Sequence, residues 1–398
     1  PKWLNMEQAI LRSNENEGEQ EQMSLNDLIT GFSRSTLRQT ETVVTDTKGQ
    51  QTIEVNGERR AVLGRNNDLL QMLGRDKLAE ERTDPVVVRD WVPETFSLDE
   101  MEQAAQYLDE HGVVCFRDVL TVDQQTRYED ALWSWIRRTS HQKVSREDPS
   151  TWTDQTWPPS FAGIFSQGGL CHLPEVWEVR EAAYPYFSGV YDTPALMSSF
   201  DGCNVMRPTK GEGRPEYKTS ENWLHVDSDG CKTPSQSGYQ GVVNVSGMDG
   251  TGGTGGCLQV VLDSHKSDFT EFMEQHPDLR TPGLNFTRVP DSHSLKRRMV
   301  RVNAPDRSLV IWKNETFHCN SPNRSTIFRH AQYVNFAPAA AVSENVREER
   351  VAAWTKGQGS THWVQELTLT TETCQDYQPP ELSIVGRRLV GIEPWPSA

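Results

Sequence analysis

Residues 196–336 are written in short Val, Ile and Leu runs, broken every few residues by Gly, Pro, Asn or Asp. Apolar runs of that length between turn residues form strands. Only residues 267–275 interrupt them with a helical pattern. Upstream the pattern is helical. Ser97 with Glu100 three residues later reads as a capping box, followed by Leu98, Met101, Ala105 and Leu108 at helical spacing and a stop at Gly112. Residues 113–116 form a short apolar strand, and helices follow from Thr121 to about Arg138 and over 176–191. Residues 344–354 read as one more helix. A helical opening followed by many short strands predicts a mainly β fold with flanking helices, a β-sandwich or jelly roll.

The N-terminal quarter differs. Residues 14–22 (NENEGEQEQ) are acidic and have no periodicity, and such a segment cannot bury enough surface to order itself. Farther on, Lys48-Gly49 and Asn56-Gly57 separate runs containing Val43, Val44, Ile53, Val55 and Val62, which predicts a small β-meander. Residues 66–78 look weakly helical. We therefore read 1–92 as an N-terminal arm or small subdomain, with a flexible tail as the competing reading, and 93–398 as the main domain. The arm is a candidate interface for a homo-oligomer.

The formal charge of the 398 residues is -16, from 40 Lys plus Arg against 56 Asp plus Glu. A chain this acidic argues against nucleic acid and anionic membrane as partners. No apolar run approaches the roughly 20 residues of a membrane span, and the start lacks a signal-peptide pattern. The 7 cysteines are scattered and never spaced C-x-x-C, which points to a reducing compartment and a cytoplasmic location.

The chemistry centres on His225 and Asp227 in NWLHVDSDG. Residues i and i+2 of a strand share a face, so this imidazole and carboxylate can bind one metal ion. His318, after the apolar strand 308–312, can complete a triad of two His and one carboxylate, which leaves positions open as a non-haem Fe(II) oxygenase requires. H-x-D alone is a weak signal, since about one H-x-[DE] is expected by chance. His276-Pro277-Asp278 is a second instance, but it closes a helical stretch and its proline disrupts a strand, so we read it as a helix end. Arg329 lies 11 residues after His318 (329 − 318). A strand end, a turn and a returning strand would bring its guanidinium near the metal, suited to a bidentate grip on a carboxylate. A surface ion pair is the plainer reading of any lone Arg. The glycines of residues 250–256 (GTGGTGG) match G-x-G-x-x-G, but a strand and not a helix follows, so they are a turn. No G-x-S-x-G supports a serine hydrolase. A zinc hydrolase on the same three ligands stays open but gives Arg329 no task.

These segments resemble the phytanoyl-CoA dioxygenase family of Fe(II)/2-oxoglutarate oxygenases over about 300 residues, from Phe96 to Trp395. LDEHGVVCFRDVLT (108–121) resembles the family's entry helix and strand, LHVD (224–227) its metal motif, GGCLQVVLDSHKS (255–267) its Gly-Ser-His segment, and FHCNSPNRSTIFR (317–329) its distal His and Arg. MSSFDGCNVMRP (197–208) and VGRRLVGIEPW (385–395) are similar to a less-characterised branch. The resemblance implies a double-stranded β-helix (jelly roll, cupin-like) core with an N-terminal extension. It implies Fe(II) on His225, Asp227 and His318, and 2-oxoglutarate paired with Arg329. It further implies O2 consumption with release of succinate and CO2 and hydroxylation of an unactivated C–H. Asp227 favours hydroxylation over halogenation, because related halogenases lose this carboxylate. Asn320 stands where the family often has Ser, and a Trp usual after H-x-D is replaced by QGVVNV (240–245). Met206, Gln240, Asn244 and Asn320 are candidates to line the 2-oxoglutarate pocket.

For the substrate, Arg207, Lys210 and Arg214 form a basic run that could meet an anion, with a solvated charge run as the plainer reading. Trp152, Trp157 and Phe161 could form a lid, and Trp223 flanks the metal motif. His172, His265, His330 and His362 read as structural. No convincing landing site for acyl-CoA phosphates is evident, so a small metabolite or natural product fits better. The alternatives are a non-catalytic binding or assembly protein on this fold, and a zinc- or nickel-dependent enzyme of this fold.

Overall fold

The computed structural model describes residues 88–160, 163–166, 169–228, 238–248, 251, 253–279, 287–369 and 377–396, and the backbone of 41–45, 51–55 and 58–61. The chain divides into two compact units, Pro1–Arg82 with Thr281–Phe286, and Thr83–Arg280 with Thr287–Ala398. In the smaller unit, β1 (Glu41–Thr45), β2 (Gln51–Val55) and β3 (Glu58–Ala61) form an antiparallel meander, with Val43 opposite Ile53 and Ile53 opposite Arg60. The acidic run 14–22 and the helical expectation for 66–78 lie outside the described residues.

The larger unit opens with β4 (Arg89–Trp91) and β5 (Thr95–Phe96), then α1 (Met101–His111), β6 (Val113–Phe116) and α2 (Val122–Thr139). After β7 (Ile164–Phe165) come α3 (Pro174–Tyr191), β8 (Leu196–Ser198), β9 (Cys203–Met206), β10 (His225–Val226), β11 (Tyr239–Ser246) and β12 (Leu258–Val260). Then follow α4 (Ser267–Gln275), β13 (Thr287–Arg288), β14 (Val300–Val302), β15 (Ser308–Lys313), β16 (His318–Asn320), β17 (Arg329–Tyr333) and β18 (Phe336–Pro338). The described chain ends with α5 (Glu344–Thr355) and α6 (Ile384–Val390).

Local chemistry sets these boundaries. The Thr121 hydroxyl accepts from Gln124 N and the Gln124 side chain returns to Thr121 N, a capping box that starts α2. Gly112 ends α1 in the left-handed region, at φ 74, and its N–H closes on Leu108 O. A Cβ at Gly112 would come within 2.7 Å of Thr316 Oγ1, so the turn is also a close-packed contact with the segment that leads into the His318 strand. As the sequence predicts, α4 stops at Gln275 with His276 as its cap, and β12, not a helix, follows the glycine segment.

The strands make two sheets. Sheet I runs β13-β10-β16-β12-β14-β4, and sheet II runs β5-β6-β15-β11-β17-β9-β7, with β18 joining β11 and β8. Pairings are antiparallel except for β4 on β14 and β5 on β6. The two sheets share one apolar cluster. Leu258, Val260 and Val302 come from sheet I, and Val113, Val242, Val310, Trp312 and Ala331 from sheet II. The outer face of sheet II packs instead against helices through a larger cluster that includes Leu132, Trp135, Trp177, Phe187, Val243, Leu309 and Ile311. The result is a mainly β unit with flanking helices. Among the described residues no helix is long and apolar enough to cross a membrane.

Candidate metal centre

Strand alternation decides what faces the space between the sheets. Val260 lies in the shared apolar cluster and pairs with His318, so His318 points inward from sheet I. His318 in turn pairs with His225. In sheet II, Val242, Val310, Trp312 and Ala331 face the same space. Their neighbours two residues away, Gln240, Asn244, Arg329 and Tyr333, therefore share that face, as do Met206 and Asn204, which pair with Arg329 and Ala331.

His225, Asp227 and His318 converge there. One ligand atom from each lies within 4.8 Å of the others, and all three residues are buried. His225 Nε2 is 3.7 Å from Asp227 Oδ1, and His318 Nε2 is 3.2 Å from Asp227 Oδ2. The other ring nitrogens are spoken for. His225 Nδ1 donates to Trp223 O at 3.1 Å and His318 Nδ1 to Thr316 O at 2.9 Å. A carbonyl can only accept, so each ring donates from Nδ1 and turns Nε2 toward the carboxylate. Burial and the neighbouring His318 push His225 down to about 3, which keeps it neutral. Burial by itself would raise the Asp227 carboxyl, but the imidazoles of His362, His225 and His318 hold it well below the usual carboxylate range. Two ring nitrogens and a carboxylate thus converge on one point. The donor set fits a divalent cation, with main-chain carbonyls fixing both imidazoles from behind. Gln240 Nε2 donates to Asp227 Oδ2 at 2.7 Å, and Trp223 stacks on the His225 ring at 4.6 Å with planes 10° apart.

Arg329 is completely buried. Its Nη1 donates to Asn204 Oδ1 at 2.9 Å and its Nη2 to Asn244 Oδ1 at 3.3 Å, while Nε has no partner. Burial pulls the guanidinium below the ordinary arginine value. Tyr333 lies beside it, and the Tyr333 hydroxyl accepts from Asn320 Nδ2 at 2.6 Å. Asn320 follows His318 on β16, so an inner polar row leads from the triad through Asn320 and Tyr333 to Arg329. All the named partners of this buried cation are neutral, and a carboxylate ligand would compensate it. Met206 packs against the same guanidinium stem: a Cβ on Gly256 would meet Arg329 Cδ at 3.2 Å and press on Met206 Sδ.

Other expectations are redrawn. β16 and β17 belong to different sheets, so Arg329 reaches the site from the facing wall and not from a returning neighbour strand. Arg207 and Trp157 lie instead among the residues on the helix side of sheet II. Arg207 donates to Trp152 O and Asp154 Oδ1, both at 2.5 Å, and sits 3.9 Å over the Tyr217 ring. Its charge is thus matched within the chain. Trp152 and Trp157 are buried in the helix-side core, Trp157 stacked on Phe328 at 5.9 Å, which is packing and not a lid. Phe161 lies outside the described residues. His362, read from the sequence as structural, has its Nε2 4.0 Å from Asp227 Oδ1. Asn204, Tyr333 and His362 are site residues that the sequence did not reveal, because none sits in a spacing pattern with the triad.

No family model matches the chain. It is 23% identical over 272 residues to "Ava biosynthesis cluster protein O" of Aspergillus versicolor, covering 64% of this chain and 85% of that protein. A Dictyostelium discoideum protein, named provisionally as a phytanoyl-CoA dioxygenase, is 22% identical over 277 residues, 60% of this chain and 76% of its own length. The chain is similar to phytanoyl-CoA dioxygenase. The crystal structure of GlcNAc Inducible Gene 2, GIG2 (DUF1479), of Candida albicans shares the fold, with a TM-score of 0.52 at 11% identity over 77% of this chain and 81% of that one.

Proposed function

We infer that the chain is a non-haem Fe(II)- and 2-oxoglutarate-dependent dioxygenase that hydroxylates an unactivated C–H of a small metabolite or natural product, releasing succinate and CO2. The observation that carries this is the pairing of an acceptor triad on one inner wall with a fully buried, carboxylate-free Arg329 on the wall opposite. A structural metal site needs no such arginine. The chain's alternation between two mainly antiparallel sheets supports reading the core as a double-stranded β-helix. The name of the Aspergillus relative, drawn from a biosynthesis cluster, supports a small-molecule substrate.

His225 Nε2, Asp227 and His318 Nε2 would hold the iron, leaving three positions open. When bound, Fe(II) supplies O2 activation coupled to the oxidative decarboxylation of 2-oxoglutarate. Arg329 grips the far carboxylate of the co-substrate, steadied by Asn204 and Asn244. Gln240 orients Asp227, and the apolar wall of Trp312, Val242 and Val260 keeps bulk water from the reacting face.

The test is succinate formation and O2 uptake by Fe(II)-loaded protein supplied with 2-oxoglutarate. Slow turnover is expected even without substrate, and His318→Ala should abolish it. Wild-type protein that binds metal but neither binds nor consumes 2-oxoglutarate would overturn the reading.

A further inference from the structure

Sheet I has a second face, turned away from the triad. Val260 points inward, so its neighbour Gln259 points outward, as do Cys319 and Arg301, which pair with Gln259 on either side. A cavity of about 270 Å³ opens on this outer face. Gln259 and Arg301 line it, together with Arg324 from the loop after β16 and Glu221 and Asn222 from the approach to β10. His225, Asp227 and His318 take no part in it.

The floor of the cavity is a set of held donors. Gln259 is only 5% exposed. Its Oε1 accepts from Cys319 Sγ at 3.3 Å, while among the described residues its Nε2 has no acceptor. A buried amide donor left unpaired is costly, and one that lines a cavity points to a ligand there. Arg301 is fixed beside it: Nε donates to Asp90 Oδ1 at 3.0 Å, Nη1 to Ser321 Oγ at 3.1 Å and Nη2 to Gly255 O. These contacts use three of the five N–H donors of a guanidinium. At the rim, Arg324 donates to Glu221 Oε2, and Lys218 Nζ donates to Glu221 Oε1 at 2.6 Å. Two cations therefore already match the charge of Glu221.

We propose that this cavity is a second small-molecule site, one that binds a small hydroxy carboxylate. The carboxylate lies on Gln259 Nε2, Arg301 and Arg324, and the hydroxyl donates to Glu221. An anion is selected because an unpaired amide donor and two guanidinium groups line one space. A hydroxyl is selected over an ammonium because Glu221 needs no third cation. The ligand is small because the volume falls just under the roughly 300–1,000 Å³ of drug-sized sites. Val88 and Pro322 are its apolar lining among the described residues, which leaves a long hydrocarbon tail little to pack on. The site is independent of the function inferred above, whose carboxylate anchor, Arg329, stands on the other sheet.

The experiment titrates the metal-free full chain with D-glycerate, L-malate and L-tartrate, read by ligand-observed nuclear magnetic resonance. At least one is expected to bind with a Kd below about 1 mM. That affinity should fall about tenfold in Gln259→Leu and in Arg324→Ala, and stay unchanged in Arg329→Met. L-serine and inorganic phosphate should bind more weakly than the best hydroxy acid. Thermal melting checks that the variants fold, and if Gln259→Leu does not, the exposed Arg324→Ala decides. No binding by any of the three acids overturns the proposal. So does binding that survives both cavity variants, or that is lost in Arg329→Met, which would place the acids at the metal centre. Phosphate or L-serine binding as tightly as the best hydroxy acid overturns the assigned ligand class.

Discussion

Among the described residues three arginines are completely buried, and they are buried for different reasons. Arg180 donates to Cys171 O at 2.6 Å and Asp201 O at 2.9 Å, with its guanidinium 4.7 Å over Trp177. Arg350 donates to Val390 O at 3.2 Å, Leu389 O at 3.1 Å and Ser198 O, and lies 4.6 Å over Phe200. Leu389 and Val390 end α6, so Arg350 caps the negative end of a helix. Main-chain carbonyls and aromatic faces are fixed acceptors, and both arginines serve as struts between helices and strands. Arg329 has neither. It rests on the side-chain amides of Asn204 and Asn244, facing the triad. One nitrogen of each arginine lacks a partner, so a count of unsatisfied atoms does not separate them. The kind of partner does. A strut is satisfied by the main chain, whereas a ligand-binding arginine is held in orientation by neutral side chains and left without a countercharge.

That contrast is open to direct attack. Arg350→Met strips three buried carbonyls of their donor and should destabilise the fold by about 3–5 kcal/mol in urea melts. The surviving folded fraction should bind 2-oxoglutarate normally. Arg329→Met should do the reverse. Replacing a buried charge that has no carboxylate partner is expected to leave stability unchanged or raised, while 2-oxoglutarate binding to Co(II)-loaded protein weakens about 30- to 1,000-fold by calorimetry. If Arg329→Met unfolds the protein and Arg350→Met does not, the assignments are reversed.

Much of this was legible in the chain, for physical reasons. The capping boxes and Gly112 are local signals, so the helices stand where the pattern put them. The triad was legible because H-x-D needs only one strand's alternation and a distal His after an apolar strand. Arg207 and Trp157 misled because a single residue of phase decides the face of a sheet. Met206 pairs with Arg329 and faces in, and the next side chain, Arg207, turns out toward Asp154 and Tyr217. Asn204 and His362 could not be read at all. One is delivered by the strand pairing β9–β17 and the other by a hairpin anchored to Phe200, and neither event leaves a spacing in the sequence.

Between struts and site stands Gln240, which touches the triad without belonging to it. Gln240→Leu removes the 2.7 Å hydrogen bond to Asp227 Oδ2 and leaves the sheet pairing of β11 intact. Co(II) affinity should fall about 10- to 100-fold with little change in melting temperature. An unchanged affinity would mean that Asp227 is held by its histidines alone.

The smallest effect belongs to the strut region and concerns pH. His172 stacks on Trp177 beside Arg180, and burial together with Arg180 pushes its pKa down from 6.5 to about 3. Its Nε2 donates to Gln358 O, which favours the charged ring, but burial and Arg180 outweigh this and the folded chain keeps the ring neutral. As pH falls below about 6.5 the unfolded chain takes up a proton that the folded chain refuses. Stability from this group is therefore complete above pH 6.5 and drains away toward pH 3, at no more than about 1.4 kcal/mol per pH unit. His330, pushed down to about 4 mainly by burial, adds a similar slope over a narrower window. His172→Gln should flatten the urea-melt slope between pH 6.5 and 5 by one proton's worth, leaving the His330 part in place. Metal and 2-oxoglutarate affinity at pH 7 should not move. A slope that stays as steep in His172→Gln would show that acid acts elsewhere than on the Arg180 strut.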